Sequence, residues 1–292
     1  MRQFTSPGAM ARGMVMLLGV VLLTLVTPVG GAALLLAWLV ERWPRLRWGL
    51  PRAPQTGDAP AGRPFSRWRL GANFVLLYAL LLVAVAPLLA GAFGRTPLPC
   101  WPDSHTSLGA RSPLYCVLGR NYTTRQAAKV LLGAAGHMAG RYPGTVTLYL
   151  DAGFPIPGLP MPPHLSHGRG DAVDLAFFYR RSDGSGQMHN TTPAHIGYWV
   201  YEQPRAGEAQ PCKGRGGWLR WDFAWLQGRY AAWEIDPERT GDLLRWLSQS
   251  GEVRRIFLEP HLKARLAPEE KRVRFQGCHA ARHDDHVHVE IR

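Results

Sequence analysis

Only four cysteines occur in the 292 residues, and no two of them stand in a C-x-x-C spacing. A four-thiolate zinc site is therefore disfavoured, because such sites draw their ligands in closely spaced pairs. Acidic side chains are scarce as well, 21 Asp and Glu against 34 Lys and Arg, for a formal net charge of +13. No aromatic-interleaved basic motif accompanies that excess, so nucleic acid is not the expected partner. An anionic lipid surface or an anionic cell-wall polymer suits the charge better. No internal repeat is apparent, which sets repeat architectures aside.

Charge itself is missing from two long runs. Met14 to Val40 and Leu70 to Phe93 carry no ionised side chain, and each exceeds the roughly 20 residues that cross a bilayer. Uninterrupted apolarity leaves no face for water, which argues against two buried helices of a soluble protein. A cleaved signal peptide is the other alternative, but the run is longer than the usual h-region of about 7–15 residues and no convincing small-x-small cleavage site precedes Glu41-Arg42. The expectation is a membrane anchor over residues 1–93 with two transmembrane helices, about 14–40 and 70–93, kinked at Pro28, Gly30, Gly31 and Pro87. Between them, residues 41–69 carry Arg42, Arg45, Arg47, Arg52, Arg63, Arg67 and Arg69 against Glu41 and Asp58, whereas Arg95 alone closely follows the second run. By the positive-inside rule that loop is cytoplasmic, and everything after Phe93 lies outside a bacterial inner membrane. All four cysteines, Cys100, Cys116, Cys212 and Cys278, fall in that outer part. Two disulfides are permitted there, Cys100 with Cys116 and Cys212 with Cys278 being one of three connectivities.

Residues 94–122 read as a linker and 123–292 as the outer domain. Thr123 or Thr124 can cap a helix running to about Met138. Thr145 to Leu150, Ala172 to Tyr179, Ile196 to Tyr201, Val253 to Leu258 and His286 to Ile291 read as strands by β-branched and aromatic content. Asp236-Pro237 is an N-cap followed by a proline at the first helical position, opening a helix to Gln249, and Pro260 starts another to Leu266. Trp218, Trp221 and Trp225 with Leu219, Phe223 and Leu226 suggest an amphipathic helix ending near Gly228, packed into the core or walling a groove. This order predicts an α+β domain with a central antiparallel sheet.

Asp174 interrupts an apolar strand, where an unpaired carboxylate is costly, so a metal or an Arg must face it. His286 and His288 stand two apart on the last strand and so point to one side. With His167 seven positions before Asp174, these residues can surround one zinc ion through two imidazoles and a carboxylate, leaving a fourth position open.

Ser166-His-Gly-Arg-Gly-Asp-Ala-Val-Asp-Leu175 resembles the first zinc motif of D-Ala-D-Ala dipeptidases and penicillin-insensitive murein endopeptidases. The end of the chain, His283-Asp-Asp-His-Val-His-Val289, resembles most the final motif of the endopeptidases. Both belong to the zinc peptidases grouped with lysostaphin, D-alanyl-D-alanine peptidases and the hedgehog N-terminal domain, and the resemblance covers about half the chain, Thr145 to Arg292. It implies that His167, Asp174 and His288 bind Zn2+, that His286 serves as acid/base, and that His283 is a further active-site histidine. Asp285 falls where dipeptidases place a glutamate base, on a shorter side chain. Asp171-Ala172 departs from the endopeptidase pattern of an apolar residue followed by Asp. The implied activity is hydrolysis of D-amino-acid-containing peptide bonds in peptidoglycan, as endopeptidase, carboxypeptidase or dipeptidase. A zinc-stabilised module that binds wall polymer or protein without turnover is the alternative.

Overall fold

The computed structural model describes residues 7–42, 66–102, 106–215, 217–227 and 232–292, and the chain divides into two compact units, Met1–Leu89 and Ala90–Arg292. In the first unit the charge-free run Met14 to Val40 does not form a single span. Helices α1 (Pro7–Val26) and α2 (Gly30–Arg42) are separated by a turn at Thr27-Pro28-Val29. Pro28 has no N–H for the carbonyl four residues back, and its ring would clash there, so the helix stops. Gly30 and Gly31 then let α2 fold against α1: a Cβ on Gly31 would lie 2.0 Å from Thr24 Oγ1.

The next helix, α3 (Arg67–Ala92), is the one described helix long and apolar enough to cross a membrane. Its 26 residues span about 39 Å at 1.5 Å per residue, more than the roughly 30 Å hydrocarbon core. The Ser66 side chain caps its first turn by accepting from the Arg69 N–H. Pro87 does not end it, because the turn before widens into a π-helical stretch at Leu81–Val85 that accommodates the missing donor. The expectation of two transmembrane helices is thus corrected to one. Thr27 and Tyr78 share a hydroxyl hydrogen bond of 2.9 Å between the α1–α2 turn and α3. Most of the arginine-rich segment 41–69 lies outside the described residues.

The second unit opens with β1 (Arg95–Pro97), β2 (Leu108–Ala110), the short α4 (Pro113–Val117) and β3 (Tyr122–Thr124). Much of the stretch read as a linker is therefore folded, and β1 pairs with β3. Then follow α5 (Arg125–Arg141), β4 (Thr147–Tyr149), β5 (Ala172–Ala176), β6 (Tyr179–Arg181), β7 (Met188–His189) and β8 (Trp233–Ile235). The chain ends with α6 (Pro237–Gln249), β9 (Val253–Phe257), α7 (Pro260–Leu266), β10 (Val273–Arg274) and β11 (His286–Ile291). Thr124 and Asp236 cap α5 and α6 by accepting from the N–H groups of Ala127, and of Glu238 and Arg239, respectively.

Six strands form the main sheet in the order β10-β9-β11-β5-β4-β2, while β7-β6-β8 make a smaller one. The inner pairings of the main sheet are antiparallel, but β10 runs parallel to β9 and β2 parallel to β4. The expected antiparallel α+β sheet is thereby corrected to a mixed sheet in a mixed α/β unit. Each parallel pair is joined by a crossover containing a helix, α7 at one edge and α5 at the other, as parallel pairing requires.

Leu131, Ala134 and Met138 of α5 and Leu243, Leu244 and Leu247 of α6 pack with Val173, Leu175, Val287, Val289 and Ile291 in one buried core. Alternation along β11 sends its valines toward these helices and His286, His288 and Glu290 to the opposite face. Two disulfides, Cys100–Cys116 and Cys212–Cys278, close the unit.

Two elements expected from the sequence are absent. Ile196 to Tyr201 forms turns and bends in place of a strand, and among the described residues of the Trp218 to Gly228 stretch, 218–227, the one helical piece is a 3-10 turn at Ala224–Leu226. Trp199 and Phe223 adopt left-handed backbone at φ +73° and +38°, which neither strand nor helix tolerates. Side-chain bonds hold the segment instead: Gln227 donates to the Trp199 carbonyl at 2.8 Å and accepts from the Tyr201 N–H at 2.9 Å. Trp218 and Trp225 are exposed, so the tryptophan stripe is not core packing.

Candidate metal centre

The residues before β5 fold as a 3-10 turn, Leu165–Arg169, which seats His167 in full burial. Gly170 ends the turn at φ +73°, and a Cβ there would lie 2.9 Å from Arg95 Cζ, so glycine is required on both counts. Arg95, buried itself, donates to the carbonyls of Phe154 and Gly168 and ties the loop down.

Strand register supplies the next two residues. Asp174 of β5 and His288 of β11 are direct antiparallel partners, so their side chains share the face away from the helices. Asp174 Oδ1 lies 2.7 Å from His288 Nδ1 and 3.3 Å from His167 Nε2, and these two nitrogens are 3.3 Å apart. All three residues are buried. Among the described residues, every ion-pair partner of Asp174 is a histidine, which removes the arginine alternative. Burial would raise the Asp174 carboxyl, but His167, His286 and His288 around it, with a hydrogen bond from His164, hold it well below the usual carboxylate range. Burial pushes His288 down, against the pull of Asp174.

His286 lies beside this trio, its Nε2 3.6 Å from Asp174 Oδ1. Its Nδ1 is held by Asp285 Oδ1 at 2.5 Å, and the other Asp285 oxygen accepts from the Trp199 N–H at 2.6 Å. Asp285 thus spends both oxygens on orientation. Burial alone would suppress charge on His286, yet Asp174 and Asp285 outweigh it and push its pKa up to about 9. The His283 ring stands 5.1 Å from that of His286, and burial together with the neighbouring imidazoles pushes it well below its ordinary value. Its backbone N–H donates to Glu259, which Arg220 pairs at 3.0 Å.

All six residues singled out in the sequence therefore meet in one buried region. Two more belong to it. His164 Nδ1 lies 2.8 Å from Asp174 Oδ2, and the Tyr198 hydroxyl donates to the same oxygen at 2.6 Å. Burial, then Asp174, pushes the Tyr198 phenol well above its ordinary value, so it remains a donor. The His164-Leu-Ser-His167 spacing was a visible signal for the first, whereas Tyr198, in an irregular segment, left none.

A metal ion fits this donor set. His164, His167 and Asp174, and separately His283, His286 and His288, each bring ligand atoms within 4.8 Å of one another. Ligand atoms around tetrahedral zinc, at bonds of about 2.0–2.1 Å, stand about 3.3 Å apart. Two of the three separations among His167, Asp174 and His288 have that value, and the third is shorter. The Ala152 carbonyl is 2.7 Å from His167 Nδ1, which assigns the proton to that nitrogen and leaves Nε2 as a lone pair. Among the described residues, buried His288 Nε2 has no hydrogen-bond partner, and Glu290 Oε1 lies 4.0 Å from it.

Behind the cluster, Arg120 donates to both oxygens of Asp151 at 2.6 and 2.8 Å, with both side chains buried. The Asp151 carbonyl accepts from the Asp174 N–H. Asp151→Ala should destabilise the unit by about 3–5 kcal/mol by stranding a buried guanidinium. A thermal midpoint matching the parent would show that the pair contributes nothing.

Compared as a whole sequence, the chain matches no family model and no curated protein. Its class is defined by what the fold presents: a mixed α/β unit with His/Asp clusters suited to a metal ion, in a chain with one candidate membrane-spanning helix.

Proposed function

We propose that the second unit is a zinc-dependent peptidase acting on D-amino-acid-containing peptides of peptidoglycan. The observation that carries this reading is the convergence of His167 Nε2, Asp174 Oδ1 and His288 Nδ1 at 2.7–3.3 Å, with an oriented His286 beside them. The two motif segments that resemble those of murein endopeptidases and D-Ala-D-Ala dipeptidases hold these residues, and the resemblance supplies the substrate class. Bound there, zinc would act as a Lewis acid on the scissile carbonyl and lower the pKa of an attacking water.

The protein's own groups divide the remaining work. Asp285 fixes the His286 ring, so that Nε2 faces the cluster with a proton available for developing negative charge or for the leaving amine. Tyr198 and Ala152 orient Asp174 and His167 from behind. His283, kept neutral, completes the wall next to His286. Placement on the outer face of a bacterial inner membrane is supported by arginines concentrated ahead of α3 and by two disulfides after it.

His164 favours a second reading. A fourth protein ligand would close the site and make the metal structural, serving a binding module without turnover. His164→Ala separates the two. The peptidase reading expects the metal to be retained, measured by elemental analysis, and muropeptide cleavage to persist, whereas loss of the metal would favour the closed site.

A further inference from the structure

On the helical side of the main sheet, away from the histidine cluster, α5 and α6 border an open groove of about 780 Å³. That volume is in the range of ligand clefts, roughly 300–1,000 Å³. We propose that this groove is a second ligand site and that it takes an uncharged saccharide chain. Its platform is the half-buried Trp246. The indole rests against Gly133, where a Cβ would lie 3.1 Å from Trp246 Cη2, close enough that a side chain there would push the ring by a few tenths of an ångström. The His137 ring stacks on it at 6.0 Å and 26°, itself bonded to Asp242 at 3.3 Å. The aromatic surface is therefore braced before any ligand arrives, which lowers the ordering cost of binding.

The rim decides the ligand class. Gln126 and Lys129 stand on the α5 side, and Gln249 and Glu252 on the other. Two amides offer donors and acceptors together, as ligand hydroxyls require. One ammonium and one carboxylate leave no net charge, which disfavours a phosphate or an acidic peptide. A pyranose presents an apolar C–H face to the indole and hydroxyls around its edge, matching platform and rim at once. None of the residues lining the groove belongs to the metal centre, so the saccharide site stands or falls separately from the peptidase reading.

The test is calorimetric titration of the full chain, in a detergent without a sugar headgroup, with the tetramer of β-1,4-linked N-acetylglucosamine. Saturable binding is expected. Trp246→Ala should weaken it about tenfold or more, the usual scale for losing an aromatic anchor, and the exposed pair Gln126→Ala/Gln249→Ala should weaken it severalfold. His286→Ala and metal removal should leave it unchanged. Should Trp246→Ala fail to fold, the glutamine pair decides: weakened binding supports the site, and unchanged binding overturns it. Absence of binding by the parent, full retention in Trp246→Ala, or binding of a free stem peptide in place of the saccharide would each overturn it.

Discussion

Asp174→Asn should leave the second unit without tightly held metal and without hydrolytic activity. The carboxylate is fully buried, and one of its oxygens lies within 3.6 Å of nitrogens from His167, His286 and His288. Its other oxygen accepts from Tyr198 and meets His164. An amide keeps the shape but removes the negative charge that gathers these imidazoles, and turns one acceptor toward them into a donor. Metal content by elemental analysis should fall from about one ion per chain to background, the stoichiometry of a single three-ligand site. Metal content equal to the parent's would remove Asp174 from the site and with it the proposed centre.

His286→Ala is expected to behave differently. Its Nε2 stands 3.6 Å from Asp174 Oδ1, longer than the 2.7–3.3 Å separations within the trio, and its Nδ1 is already taken by Asp285. Metal should therefore remain bound, while turnover of a defined muropeptide falls by about 10²–10⁴, the range for a lost acid/base group. Asp285→Asn should lower turnover less, since His286 itself remains and the amide oxygen can still accept from the Trp199 N–H while the orientation and charge of His286 are disturbed. A His286→Ala protein that loses its metal would make His286 a ligand. One that keeps full turnover would leave it without a chemical role.

Parts of this arrangement were legible because single residues carried them. Asp236-Pro237 marks the start of α6, Pro260 that of α7, and the alternation of His286, His288 and Glu290 with valines sets the two faces of β11. Asp174 announces a partner because a carboxylate has no other place in an apolar strand. The parallel edges were not legible, since β2 and β10 have only three and two residues and their pairing is set by crossovers that leave no local pattern. Apolarity alone made Met14 to Val40 look like one span, but Pro28 with Gly30-Gly31 folds it back on itself. Tyr198 reaches Asp174 from a segment fixed by left-handed Trp199 and by bonds to Asp285 and Gln227. No periodicity precedes such a contact.

The most direct test of the central claim is incubation of the zinc-loaded full chain with intact sacculi and defined muropeptides, followed by mass spectrometry of the products. Peptide-bond cleavage products should form with zinc, disappear with a chelator, return when zinc is restored, and be missing with Asp174→Asn. No products, products other than those of peptide hydrolysis, or cleavage that persists without metal would contradict it.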